Sequence, residues 1–221
     1  PPDATILEIG SFKGRSTVAM GFACIGTQRR IFCLDTWDGN DKDFAQRNFF
    51  DVWKQNVARN GLNDYVVPLR GCSRETLEHW SDKQSGRAID FAFIDGSHDY
   101  EDVLNDLKLT WPWVKDHGWI AFHDVTYTWP GPTRVWFDVG KRSLINHEYA
   151  STLACGQKPA GGSLVEPEPQ ADPRPKGAAD PGLPIHFFTI VLNGQPFIRH
   201  HIEQFRKLSF RWHWHIVEGV A

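Results

Sequence analysis

The chain has 221 residues, 41% of them hydrophobic, and a formal charge of −3. That apolar content is ample for a domain core, and the near balance of charge excludes a general basic field for nucleic acid or an anionic membrane. No apolar run approaches the roughly 20 residues needed to span a bilayer. No signal peptide is visible, although a sequence starting at Pro1 says nothing of what precedes it. Cys24, Cys33, Cys72 and Cys155 form no Cys-x-x-Cys pair and read as reduced, small apolar residues of a cytoplasmic chain.

Ile6 to Thr17 reads as strand, tight turn and helix. Ile6, Leu7 and Ile9 suit a buried parallel strand, which leaves Glu8 as the misfit that needs a reason. Gly10 and Gly14 let the backbone turn sharply and approach a ligand, and the helix N-terminus that follows favours a negatively charged ligand group. The spacing Glu-x-Gly-x-x-x-Gly lacks the middle glycine of a dinucleotide fingerprint, and Gly14-Arg15-Ser16 lacks the P-loop lysine. A glycine turn with no ligand is the alternative reading.

Val18, Phe22 and Ile25 then recur at helical spacing up to Gly26. Ile31 to Leu34 form the next strand, ending at Asp35, about 20 residues beyond the turn, where an acid can accept hydrogen bonds from a ribose or simply cap the next turn. Phe50, Trp53 and Val57 mark a helix from about Asp43 to Asn60, Tyr65 to Leu69 a strand, and Ser73 the N-cap of a helix through Trp80. Ile89 to Ile94 is a strand ending in Asp95-Gly96-Ser97-His98. Val103, Leu107 and Trp111 line a helix that stops near Gly118, and Trp119 to Phe122 is a strand ending in His123-Asp124. A helix over Thr133 to Ile145 precedes an antiparallel pair, Tyr149 to Leu153 with Ser163 to Val165. Residues 166–184, rich in proline, acid and small residues, read as a linker. Beyond it come a strand over Phe187 to Leu192, a helical face of Ile198, Ile202, Phe205 and Leu208, and a strand over Trp212 to Val217. His213 and His215 share a face of that last strand, and with no third ligand they read as surface or cleft residues rather than a metal site.

Strands alternating with helices predict an α/β fold, an open parallel sheet covered on both faces. Asp35, Asp95, His98, His123 and Asp124 all fall at carboxyl ends of strands. That edge of such a sheet is where ligands bind.

Four ordered motifs carry a resemblance: Leu7-Glu8-Ile9-Gly10-x-x-x-Gly14-x-Ser16-Thr17, Leu34-Asp35-Thr36-Trp37, Phe93-Ile94-Asp95-Gly96-x-His98-x-Tyr100 and Phe122-His123-Asp124. Over roughly Thr5 to Pro167 the chain resembles class I S-adenosylmethionine-dependent methyltransferases, in particular the metal-dependent sugar and macrolide O-methyltransferases. The resemblance implies a Rossmann-like, doubly wound, mostly parallel sheet of seven strands with one antiparallel. It implies that Glu8, Gly10, Gly14 and Ser16 surround the methionine part of S-adenosylmethionine, with Asp35 on the ribose hydroxyls. Trp37 and Ser73 flank the adenosine, and Asp95 adjoins the cofactor. It further implies His98 as general base and Asp95, His123 and Asp124 as ligands of Mg²⁺ or Mn²⁺. His123 departs from the acidic pair common in such sites, and imidazole is a less typical ligand for a hard cation.

Phe187 to Ala221 resembles the opening of a family 2-like glycosyltransferase of the GT-A type, without its Asp-x-Asp motif. The expected organisation is a methyltransferase domain over 1–165, a linker over 166–184 and a partial glycosyltransferase-like segment over 185–221. The expected acceptor is a hydroxyl of a glycan or small molecule, and a homo-oligomer is compatible with everything above. A nicotinamide-dependent oxidoreductase, for which Asp35 would equally hold a ribose, and a non-catalytic scaffold for the downstream segment are the competing readings.

Overall fold

The structure is a computed structural model. It describes residues 1–38, 49–80, 87–167, 185–192 and 212–219. The expected start of a helix at Asp43, the helical face of Ile198 to Leu208, and residues 168–184 of the expected linker lie outside them. The chain forms two compact units, Pro1–Glu168 and Pro169–Ala221.

The first unit alternates as expected: β1 (Thr5–Ile9), α1 (Arg15–Phe22), β2 (Arg30–Asp35), α2 (Phe49–Arg59), β3 (Val66–Arg70), α3 (Ser73–Glu78), β4 (Ile89–Ile94), α4 (Tyr100–Thr110) and β5 (Val114–Phe122). A helical stretch follows, α5 (Pro130–Val135), a π turn (Trp136–Gly140) and α6 (Lys141–Ser143). The hairpin β6 (Ile145–Ala150) and β7 (Leu153–Gln157) closes the sheet. The seven strands run in the order β3-β2-β1-β4-β5-β7-β6, with β1 to β5 parallel and β7 antiparallel to both its neighbours. This is the doubly wound, mostly parallel sheet expected from the sequence. Every residue of β1 is buried, as a central parallel strand covered on both faces requires. Leu7 and Ile9 enter the core shared with Trp80, Leu107 and Trp136, while Ile6 packs on the opposite face with Trp37, Trp53 and Val57.

Several boundaries differ from expectation, each for a local reason. α1 buries Thr17 and Gly21, with Cys24 just beyond its end, instead of the stripe Val18–Phe22–Ile25, and Phe22 and Ile25 are exposed. The helix is turned by one residue because the Thr17 hydroxyl donates to Glu8 and because Gly21 lies where a Cβ would come within 2.5 Å of Leu62 Cδ1. α4 ends at Thr110, not near Gly118, because Pro112 allows only a 3-10 turn over Trp111–Trp113. Lys158 then satisfies the freed carbonyls, its Nζ donating to Trp111 O at 3.0 Å and Val114 O at 2.8 Å.

Ser73 is the first residue of α3 rather than its cap, and that helix ends at Glu78. The hairpin pairs β6 with β7 across Ser151, whose φ is 57°; Ser163 to Val165 form no strand. In the second unit β8 (Ile185–Leu192) and β9 (Trp212–Gly219) pair in parallel, His186 opposite His213.

Candidate active site

β1 lies between β2 and β4, whose connections leave in opposite directions, and the crevice at this switch point holds a cleft of about 240 Å³. Gly10, Asp35 and Ser73, three of the expected cofactor residues, line it together with Thr36, Gly71, Cys72, Gly96 and Ser97, and with Asp102 and Asp106 from α4. Asp35 is held from two sides: Oδ2 accepts the Phe12 amide at 2.7 Å and Oδ1 the Trp37 amide at 2.6 Å. Both donors adopt positive φ, 44° and 55°, a conformation that costs energy in non-glycine residues and clusters at functional sites. Each carboxylate oxygen keeps a further lone pair for a ligand hydroxyl.

Five of the expected cofactor residues do not line this cleft. Glu8 is fully buried on the α1 side, its Oε2 accepting the hydroxyls of Ser11 and Thr17; burial pushes its carboxyl above the usual range, against those hydrogen bonds. It holds the β1–α1 turn from beneath rather than facing the cleft. Gly14 is needed for packing, since its φ is 86° and a Cβ there would stand 2.9 Å from Trp53 Cδ1. Trp37 is 2% exposed among Phe50 and Trp53 and does not line the cleft; its link to it is the amide that Asp35 accepts. Ser16 lines a second, more apolar cavity of about 690 Å³ on the other face of the sheet, with Phe91, Phe93, Asp95 and His123.

The ends of β4 and β5 bring the remaining residues together. His123 Nδ1 lies 3.1 Å from Asp95 Oδ1 and 3.1 Å from Asp124 Oδ1, without hydrogen-bond alignment to either. Asp95, His123 and Asp124 thus offer one donor atom each within 4.8 Å of one another. A buried nitrogen aimed at two carboxylates with no aligned hydrogen bond fits a set of ligands for a shared cation. Burial is the main cause that raises Asp95 to about 6, with Asp124 adding to it and His123 opposing it. Asp124 itself has φ 55°.

His98, expected at the same edge of the sheet, joins them: its Nε2 lies 2.8 Å from Asp124 Oδ2. Its ring stacks on Trp129, centroids 3.9 Å apart and planes at 15°. The turn carrying Trp129 can lie this close because residue 131 is glycine, where a side chain would overlap the His98 carbonyl. Trp129 and Asp106 are site residues the sequence reading missed. The dense aromatic and turn residues after Asp124 were the one available signal for Trp129.

Asp106 is 4% exposed. Burial is the main cause that raises its pKa from 3.8 to about 6, with Asp102 adding and a Ser73 hydrogen bond opposing. A carboxyl whose folded pKa lies above its unfolded value favours the fold when protonated, so it costs stability as pH rises from about 4 to 6, in total about 3 kcal/mol. Asp106→Asn is therefore expected to melt higher than the parent above pH 6, with the gain fading below pH 4. Thermal melts across that range check it.

Residues 7–125, over half of the chain, match the family described as "Methyltransferase domain". The chain belongs to this methyltransferase family. A relative in Acanthamoeba polyphaga mimivirus, an uncharacterized protein, is 30% identical over 132 residues, covering 58% of this chain and 54% of its own. The methyltransferase chain thus spans about half the length of that curated relative. The fold is similar to that of an O-methyltransferase from Bacillus cereus in complex with SAH, at 17% identity and TM-score 0.54, over 71% of this chain and 75% of that one. It is also similar to a calicheamicin methyltransferase, at 18% identity and TM-score 0.56, over 70% and 72% of the two chains. No helix among the described residues of this methyltransferase domain is long and apolar enough to cross a membrane.

Proposed function

We propose that the chain transfers the methyl group of S-adenosylmethionine to a hydroxyl of a sugar, glycan or small molecule. The observation that carries this reading is the cleft: Asp35, aimed by two strained backbone amides, stands in a lining with Asp102 and Asp106 and, among the described residues, no Lys, Arg or His. Such a lining favours a cofactor with a ribose diol and positive charge, and it offers no side-chain cation to a pyrophosphate, which speaks against a nicotinamide dinucleotide.

S-adenosylmethionine supplies an electrophilic methyl on a sulfonium. With Nε2–H held on Asp124, a neutral His98 carries its lone pair on Nδ1. That atom takes the proton of the acceptor hydroxyl as the oxygen forms its bond to the methyl carbon, and the electron pair of the broken C–S bond stays on sulfur. Asp124 orients the ring from one side and Trp129 from the other. Asp95, His123 and the Oδ1 of Asp124 would hold a divalent cation, whose chemistry there is to lower the pKa of the acceptor hydroxyl. Trp129, 41% exposed and stacked on His98, offers its other aromatic face to a ring-shaped acceptor. The parallel β8–β9 pair supports reading residues 185–221 as a partial glycosyltransferase-like segment, and with it a glycan acceptor.

Transfer of label from methyl-labelled S-adenosylmethionine to a panel of sugars and phenols tests the reaction. Once an acceptor is found, His98→Ala is expected to lower kcat by about 100-fold or more, and chelation of divalent ions to lower it as well. A His98→Ala turnover within a few-fold of the parent would remove His98 from the role of base.

A further inference from the structure

The apolar cavity of about 690 Å³ on the α1 face of the sheet takes no part in the chemistry set out above. Its floor follows from strand alternation. β4 places Phe91, Phe93 and, just past its end, Asp95 at every second position, and β5 places Ala121 and then His123 in the same way. The Phe93 ring meets the His123 ring edge-on, centroids 6.0 Å apart. An apolar floor therefore runs up to two of the three residues of the Asp95–His123–Asp124 cluster. Gly96, the next residue, lines the cleft assigned to the cofactor, so the two cavities adjoin at Asp95–Gly96.

The cavity falls within the roughly 300–1,000 Å³ of small-molecule pockets. A free sugar is a poor occupant, because its hydroxyls would lose water against Phe91, Phe93 and Ala121, whose side chains have no donor or acceptor to replace it. An apolar body gains there, by about fourfold in affinity for each methylene buried. The charged residues Arg15 and Glu148 that also border the cavity are exposed and form its rim.

We propose that the acceptor is an amphipathic molecule rather than a free sugar, with an apolar body seated in this cavity and its hydroxyl at the Asp95–His123 end. This rests on the proposed methyl transfer and narrows its substrate class. Ala19 of α1 lines the cavity and is exposed, so a larger side chain there fills the space without displacing the core.

Calorimetric titration in the presence of S-adenosylhomocysteine with phenol, 4-ethylphenol and 4-butylphenol tests this, since the three share one hydroxyl and differ only in apolar length. The parent is expected to bind 4-butylphenol at least about tenfold more tightly than phenol. In Ala19→Trp that preference is expected to fall to about threefold or less, while S-adenosylhomocysteine binds as in the parent. Label from methyl-labelled S-adenosylmethionine is expected to reach 4-butylphenol faster than phenol. Equal affinities along the series, or an undiminished preference in Ala19→Trp, would overturn the assignment of the cavity and leave methyl transfer standing. Binding of 4-butylphenol beside bound S-adenosylhomocysteine with no label transferred to it would overturn its place as the acceptor body. A folded parent that leaves S-adenosylhomocysteine unbound would overturn the methyl-transfer reading and the acceptor role with it, whatever the phenols do.

Discussion

Asp35→Ala is expected to weaken binding of S-adenosylhomocysteine by at least about 100-fold. A carboxylate accepting two ribose hydroxyls makes charge-assisted hydrogen bonds worth about 1.5–3 kcal/mol each, and each 1.4 kcal/mol is tenfold in affinity. The loss has a second source. Phe12 and Trp37 hold positive φ angles with their amides on this carboxylate, and without it neither strained turn has the acceptor that offsets its cost. Asp35→Asn separates the two: its side-chain oxygen can keep one amide, its NH₂ faces the other, and its affinity should fall between parent and alanine. The comparison requires that both variants melt within a few degrees of the parent.

Gly10→Ala is expected to give the largest loss of stability. Its φ of 90° is unfavourable for any residue with a Cβ, and a Cβ there would overlap the carbonyl of Asp95, part of the backbone at the end of β4. Neither group can yield without parting β1 from β4, which pair over Ile6–Ile9 and Phe91–Ile94. The expected cost is on the order of 3–5 kcal/mol, a drop in melting temperature of about 10 °C for a chain of this size. Gly26→Ala is the control. Its φ is 74°, yet nothing lies within 4 Å of the added Cβ, so only the backbone term of about 1–2 kcal/mol remains. Equal losses in the two variants would mean that the contact with Asp95 is not what requires glycine at position 10.

These residues also show what was legible in the sequence. The central strands were, because Ile6–Ile9, Ile31–Leu34 and Ile89–Ile94 are buried on both faces and read as apolar runs closed by polar residues. Asp35 was legible for the same reason, as the acid ending such a run. The rotation of α1 was not: it depends on the Glu8–Thr17 hydrogen bond and the contact of Gly21 with Leu62, partners far apart in sequence, and these outweigh the apolar stripe. Trp37 looked like a ligand aromatic, but Phe50 and Trp53, brought over it by α2, make it core.

Asp106 was invisible for a related reason. On a helix that begins with Glu101 and Asp102, one more acid reads as solvated surface, and only the packing of the helix against other elements, the end of β4 among them, buries it. The link of His98 to Asp124 needed the crossing of two strand ends that no spacing reports.

The decisive measurement is calorimetric titration of the wild-type chain with S-adenosylhomocysteine, run in parallel with NADH. Saturable micromolar-range binding of S-adenosylhomocysteine, with no heat from NADH, is the expected result. A folded chain that binds NADH, or that leaves S-adenosylhomocysteine unbound, would contradict the assignment of the cleft.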